Sequence, residues 1–405
     1  MFAQEMTRSA GEARMRAFVP RMGDRYSRER NFDLGPGNHD QVSCLSPFVR
    51  RRLVLESDLV AAALAAHGAE RAEKFIQEVF WRGYFKGWME HRPAVWQTYV
   101  RGLAADLDRL GGDPALRARV AAAEAGATGI ECFDCWAREL VDTGYLHNHA
   151  RMWFASIWIF TLDLPWRVGA DFFYRHLLDG DPASNTLSWR WVAGLHTRGK
   201  AYAADAGNIR RYTRDRFQPG PGDFTLVGEG LALTEPDGLP EREPLRTVRP
   251  PDPAAPAAVL ITEEDCRLED FGLQRIAAKG AATLAVSRLR SARPVAEQVI
   301  RAEAEALADA AARSGFTCAA LDRLDAETLA DWALSLGASQ IVTPYVPQGP
   351  LRDALVACGP GLAARGIQLC EWQRDWDRSV WPHASAGFFK VKEKIPVMLR
   401  TLLSR

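Results

Sequence analysis

Apolar residues recur at three- and four-residue spacing over 56–67, 69–91 and 133–141, which predicts amphipathic helices there. Few stretches before residue 218 alternate with period two, so the first half is expected to be helical. Between 219 and 256 the periodicity is lost. Pro219, Pro221, Pro236, Pro240, Pro244, Pro250, Pro251, Pro253 and Pro256 crowd in with glycines, and no helix continues through such a stretch. A linker is expected. From Ala257 short apolar runs at 259–262, 283–286, 318–321, 340–343 and 367–370 are separated by Ala-rich amphipathic stretches such as 296–312 and 327–336. That alternation predicts a parallel sheet with helices on both faces. The expected division is a helical domain at 1–218, a linker at 219–256 and an α/β domain at 257–405. No G-x-G-x-x-G follows the first strand and no Walker A loop is present, so the α/β part shows no nucleotide motif of its own. No fixed-period repeat is visible.

Composition changes this picture little. A chain of 405 residues suggests two domains. Formal net charge is zero, so no global basic field advertises nucleic acid. Residues 1–218 hold roughly 30 Lys and Arg against about 26 Asp and Glu, which leaves a mildly basic first half. Seven cysteines, odd in number and irregular in spacing, do not read as a disulfide framework. No apolar signal core opens the chain, and the longest apolar run, near Trp153 to Phe160, is too short for a bilayer. A reduced, cytoplasmic protein is expected.

Thirteen tryptophans are many for this length, and most precede residue 192. Several fall between two polar segments, Thr-Gly-Tyr-Leu-His-Asn-His-Ala-Arg at 143–151 and Asp-Gly-Asp-Pro-Ala-Ser-Asn-Thr-Leu-Ser-Trp-Arg-Trp at 179–191. Each feature has a plain structural reading by itself. Asp179-Gly180-Asp181 is an ordinary turn. Ser43 and Ser46 cap a helix. Glu78 and Arg82 form an i, i+4 pair. A tryptophan at helical spacing is usually core. Cys132-Phe-Asp-Cys135 is a lone C-x-x-C, and with only Cys44 besides it in the first half it falls short of a four-cysteine cluster. The two cysteines read as packing residues. His147 and His149 flank Asn148, and one of them is a candidate to line a pocket. Glu371, Asp375, Asp377 and His383 are irregularly spaced and read as a solvated loop.

Taken in register, the two polar segments resemble the flavin-embracing part of the photolyase/cryptochrome family. The likeness covers nearly all of 11–215. A weaker one covers about 257–400, through Val259 to Asp270, which resembles the family's opening strand and Asp-Leu-Arg loop, and through Gly387-Phe-Phe-Lys-Val-Lys392. In that family the flavin domain follows the α/β domain, whereas here it comes first, so the order looks permuted. The resemblance implies an all-α FAD-binding domain followed by an α/β Rossmann-like domain with a parallel sheet. It implies FAD contacts from Tyr26, Ser43, Leu45, Ser46, Phe75, Glu78, Arg82, Asn148, Arg151, Asp179, Asp181 and Asn185. Ser43-Cys44-Leu45-Ser46-Pro47 resembles the family's phosphate clamp, with Val42 where a threonine is usual. Small hydroxyls and free N–H groups at a helix start suit phosphate oxygens. Arg151 and Asp179 match a salt bridge over the flavin, Asp181 a carboxylate at its N3/O4 edge, and Asn185 the residue nearest N5. Trp189 and Trp166 match the first two members of an electron-transfer chain, which Trp96, Tyr99 or Trp158 would complete.

Glu78-Val-Phe-Trp81-Arg82 resembles the Glu-Leu-x-Trp-Arg of enzymes that split cyclobutane pyrimidine dimers, with Phe75 replacing a common tryptophan one turn earlier. Glu78 would read the base edges of a flipped-out dimer, Trp81 and Trp191 would stack on it, and Met152 would line the pocket. The implied function is light-dependent repair by a lyase acting on UV-damaged single- or double-stranded DNA, with Glu78, Trp81, Met152, Trp191 and Asn185 as catalytic groups. The alternative is a cryptochrome-like blue-light photoreceptor with the same FAD and tryptophans. A second antenna chromophore, of unknown identity, and a monomeric state accompany the resemblance.

Overall fold

In the computed structural model, residues 5–197, 199–220, 222–224, 232–235 and 238–403 are described. Helices come first: α1 (Arg8–Phe18), α2 (Asp24–Glu29), α3 (Ser46–Arg50), α4 (Glu56–Glu90), α5 (Pro93–Gly112), α6 (Pro114–Ala125), α7 (Glu131–Thr143), α8 (Asn148–Ser156), α9 (Trp166–His176), α10 (Pro182–Val192) and α11 (Ala206–Tyr212). A π-helical turn, Ile157–Thr161, continues α8. Strands then alternate with helices: β1 (Pro256–Ile261), β2 (Ala277–Leu284), α12 (Glu297–Arg313), β3 (Cys318–Leu321), α13 (Ala326–Ser335), β4 (Gln340–Pro344), α14 (Pro350–Ala364) and β5 (Gln368–Trp372). The helices α15 (Asp375–Val380), α16 (Phe388–Lys392) and α17 (Ile395–Leu403) follow. The fold class is thus helical first, then α/β.

The expected helices at 56–67 and 69–91 are one continuous element broken at Gly68, where φ is 73° and ψ is 170°. Only glycine takes that conformation without steric strain. The five strands pair in parallel in the order β3-β2-β1-β4-β5. β1 lies at the centre, and Ala257 to Ile261 are all buried, which is why it reads as a continuous apolar run.

Packing divides the chain into two compact units, each assembled from separate segments. One takes in Arg21–Cys44 and Arg92–Arg242, and the other Gln4–Pro20, Leu45–His91 and Glu243–Arg405. The change of pattern at 219–256 and this division rest on different grounds. Residues 45–91 are largely helical, yet they belong to the unit that holds the sheet.

The second unit shows what binds them. Beyond the end of β1, Glu263 and Glu264 are buried among arginines. Arg50 Nη2 lies 2.6 Å from Glu264 Oε1, Arg51 Nη2 2.9 Å from Glu263 Oε2, and Arg290 Nη2 3.1 Å from Glu263 Oε1. Burial alone would raise the Glu263 carboxyl, but Arg290, Arg51 and Arg50 hold it down to about 2. Its share of stability is therefore fully present above the ordinary carboxylate range and lost as pH falls toward 2. Arg52 Nη2 donates to both oxygens of Asp377, at 2.6 and 2.8 Å. Asp377 is therefore not part of a solvated loop, and Glu371 is buried and paired with Arg246. Irregular spacing in sequence hid partners drawn from distant segments.

The latter part of the Pro-rich stretch is also tied down. Glu371 N donates to Arg249 O at 2.9 Å, Gln340 Nε2 donates to Asp252 O at 2.7 Å, and Glu243 N donates to His91 O at 2.8 Å. Proline prevents helix and sheet here, but it leaves the carbonyls free to accept.

α4 meets the 375–384 segment closely. A Cβ on Gly87 would lie 2.8 Å from Trp381 Cα and 2.9 Å from Ala384 Cβ. Gly87→Ala is expected to cost about 1–3 kcal/mol, because backbone on the far side must move. Denaturant unfolding of the two proteins measures it, and an unchanged midpoint would refute this close packing.

Candidate functional site

In the first unit the two polar segments come together. Leu178 N donates to Gly144 O at 2.9 Å, which sets Asp179 beside the residues that open α8. Arg151, on the first turn of α8, donates from Nε to Leu146 O at 2.8 Å and from Nη2 to Asp179 Oδ2 at 2.9 Å. Asp179 is buried and Arg151 is partly open. Asp181 caps α10, accepting from Ser184 N at 2.8 Å, and Pro182 follows at the first helical position. One turn on, Asn185 is buried and donates from Nδ2 to Ala170 O at 2.8 Å. That bond fixes the amide and leaves its other groups available to a ligand. Asn148 starts α8 and is exposed, and Met152 is half-buried. Trp191 is half-buried, 5.3 Å from Tyr202. Trp189 is buried against Phe173 and Trp158, and Trp166 is buried against Tyr99.

Tyr26 and Ser43 are half-buried in the same unit. Next to Ser43, Cys44 has φ 51°, uncommon for a residue with a side chain. Its thiol is buried beside Tyr145, whose hydroxyl is raised well above its usual pKa by burial first and then by Cys44.

A second buried network lies in the same unit, and no local spacing marks it. Asp33 is fully buried and accepts from Trp136 Nε1 at 2.9 Å, Arg216 Nη2 at 2.5 Å and Gly35 N at 3.1 Å. His39 Nε2 lies 2.9 Å from Glu139 Oε1. His147 accepts at Nδ1 from His149 N (3.2 Å) and meets Arg30 O through Nε2 (3.0 Å). A neutral imidazole serves both bonds. His149 lies 3.0 Å from Asn31 O and stacks on Trp153 at 4.1 Å. Both histidines thus hold the 30–33 segment.

Burial pushes His147 down to about 4, with His39 and His149 adding to the effect against the pull of Asp33. Burial likewise pushes His196 down to about 4. Each must gain a proton in the unfolded chain before it does in the folded one. Their contribution is fully present above about pH 6.5 and drains away as pH falls toward 4. Between pH 7 and 5 the chain is expected to lose on the order of 2 kcal/mol per histidine. Denaturant unfolding of His147→Asn and the parent at both pH values checks this. Equal pH slopes would remove His147 from the account.

The remaining candidates lie in the second unit. Leu45 is buried and Ser46 begins α3. Phe75, Glu78, Trp81 and Arg82 follow one another along α4. Phe75 is buried, 6.2 Å from Phe18. Glu78 Oε1 lies 3.0 Å from Lys74 Nζ, and Arg82 is half-buried. Trp81 is stacked on Phe388 with centroids 3.9 Å apart and planes within 11°. One face of its indole is therefore covered by the chain's own residue.

Residues 75–214 match the family model described as the FAD binding domain of DNA photolyase. This part of the chain resembles the flavin-binding domain of photolyases. Among curated photolyase relatives, it is 36% identical over 159 residues to the deoxyribodipyrimidine photo-lyase of Streptomyces griseus, covering 39% of this chain and 33% of that protein. It is 34% identical over 199 residues to the enzyme of Thermus thermophilus, covering 48% and 44%. For the Synechococcus enzyme the identity is 30% over 199 residues, covering 47% and 40%. The aligned part of the chain thus spans less than half the length of these relatives. Among solved structures it is 24% identical to a bacterial class III photolyase from Agrobacterium tumefaciens, covering 52% of this chain and 43% of that one, with a TM-score of 0.42. No helix among the described residues is long and apolar enough to cross a membrane.

Proposed function

We propose that this chain binds FAD and repairs cyclobutane pyrimidine dimers in UV-damaged DNA under light. The observation that carries the reading is the Arg151–Asp179 ion pair, held next to Asp181 and the fixed amide of Asn185. Buried charges need partners, and the segments that open α8 and α10 supply a guanidinium, two carboxylates and an amide. Such a donor and acceptor set fits the polar rim of an isoalloxazine. Tyr26, Ser43, Leu45 and Ser46 are assigned to the phosphates and ribose, and Phe75, Glu78, Arg82 and Asn148 to the remaining contacts. Bound in reduced form, FAD supplies the light-driven electron that opens the dimer and is returned afterwards. Glu78 holds the base edges, Trp81 and Trp191 supply stacking surface, and Met152 lines the pocket.

The test is direct. Purified protein, reduced and illuminated, should restore thymine absorbance in irradiated oligothymidine. Glu78→Ala should keep the flavin spectrum and lower dimer affinity, since an unmatched buried base edge costs about 1–3 kcal/mol. A flavin-bearing protein that neither binds nor repairs dimers in single- or double-stranded DNA would refute repair.

A light-sensing role is the second reading. It is favoured by Phe388, which covers one face of Trp81 and so takes stacking surface from a lesion. Phe388→Ala separates the two, because dimer binding that rises in this variant belongs to a repair pocket.

A further inference from the structure

We propose that Trp158 is the electron donor to Trp189 and holds the oxidised site after light absorption, in place of Trp166. The inference rests on the flavin reading above. Trp158 sits in the π-helical turn Ile157–Thr161, and turns of this kind are often found at functional positions. It is fully buried, and its ring stands perpendicular to that of Trp189 with centroids 6.3 Å apart. Both indoles press on Gly169. A Cβ there would lie 2.4 Å from Trp189 Cη2 and 2.8 Å from Trp158 Cε2. The missing side chain lets the two rings approach. Among the described residues, Trp158 is the only tryptophan in ring contact with Trp189, whose other ring neighbours are Phe154 and Phe173.

Polar surroundings favour the same direction. Trp158 Nε1 donates to Pro165 O at 3.0 Å. A carbonyl dipole on the N–H stabilises positive charge on the indole. Trp189 Nε1 is buried without a hydrogen-bond partner, so a positive Trp189 is less well held. Trp166 carries the guanidinium of Arg167 at 5.0 Å from its ring centroid. That cation is attracted to the neutral ring and repels a positive one. Its aromatic neighbour is Tyr99, whose hydroxyl is buried without a hydrogen-bond partner.

The electron count closes. Trp189 gives one electron to light-excited oxidised flavin, and Trp158 gives one to Trp189. The flavin is then reduced by one electron and Trp158 is oxidised by one. The other ring contacts of Trp158 are Phe133, Phe154 and Phe172, which are harder to oxidise than an indole. The charge therefore stays on Trp158 until it recombines or an external thiol supplies an electron and goes on to disulfide.

The experiment follows the tryptophan radical by transient absorption after a blue flash, on the full chain carrying oxidised FAD. Trp158→Phe should keep the flavin spectrum and shorten the separated charge by at least an order of magnitude. Trp166→Phe should leave it unchanged. The proposal is overturned if Trp166→Phe abolishes the long-lived radical, or if Trp158→Phe leaves it intact. Should Trp158→Phe fail to fold, the Trp166→Phe result decides alone. A full chain that purifies without flavin sinks the flavin reading and this inference with it. Bound flavin with an unaffected Trp158→Phe sinks the inference only.

Discussion

A chain ended at Pro219 is expected not to fold, although it retains every residue assigned to FAD. Arg50, Arg51 and Arg52 are buried, and their partners Glu263, Glu264 and Asp377 all lie beyond residue 243. Breaking one buried ion pair by removing a partner costs about 3–5 kcal/mol. Three together exceed most of the roughly 5–15 kcal/mol that holds a domain. The shortened chain would also expose Phe80 where it packs on Trp376, with ring centroids 4.6 Å apart. Circular dichroism and a thermal scan decide the matter. A cooperative melt, or a yellow product, would mean that residues 45–91 have a second way to settle.

The second large effect is expected at Asp33. Replacing it by alanine strands Trp136 Nε1, Arg216 and Gly35 N together. Each donor left unsatisfied in the interior costs about 1–3 kcal/mol, so Asp33→Ala should lose several kcal/mol in denaturant unfolding. FAD retention should fall as well, since the segment from Arg30 leads directly to Ser43. Asp33→Asn keeps the acceptor oxygen and should recover part of the loss. A parent-like unfolding curve for Asp33→Ala would show that water replaces the carboxylate.

The contrast between these two sites shows what was legible beforehand. The strands stood out because a parallel sheet covered on both faces needs unbroken apolar runs, and all five runs met strands whose ends differ by a few residues. The largest difference is at β2, expected from residue 283 but starting at Ala277, because its first half is Ala, Lys and Gly. Gly68 was visible as a gap between two periodic stretches, and the structure makes it a kink. The Arg151–Asp179 pair was legible only through the resemblance. Asp33 was not legible at all, because its two side-chain partners lie 103 and 183 residues away. No local spacing encodes such a contact. For the same reason Asp377 read as solvated until its partner Arg52, 325 residues distant, was seen. Periodicity reports which face is buried, and says nothing of which charge waits on the other side.

That separation also sets an order of events during synthesis. Residues 45–91 belong with a sheet whose last strand ends at Trp372. At about 5–20 residues per second, the ribosome needs roughly 15–55 s to travel from His91 to that point. Throughout that interval three arginines and the apolar flank of α4 have left the exit tunnel without the groups that neutralise and cover them. Nascent chains of this protein are expected to lean on holding chaperones until late in translation, and slowing elongation should lower the yield of native protein instead of raising it.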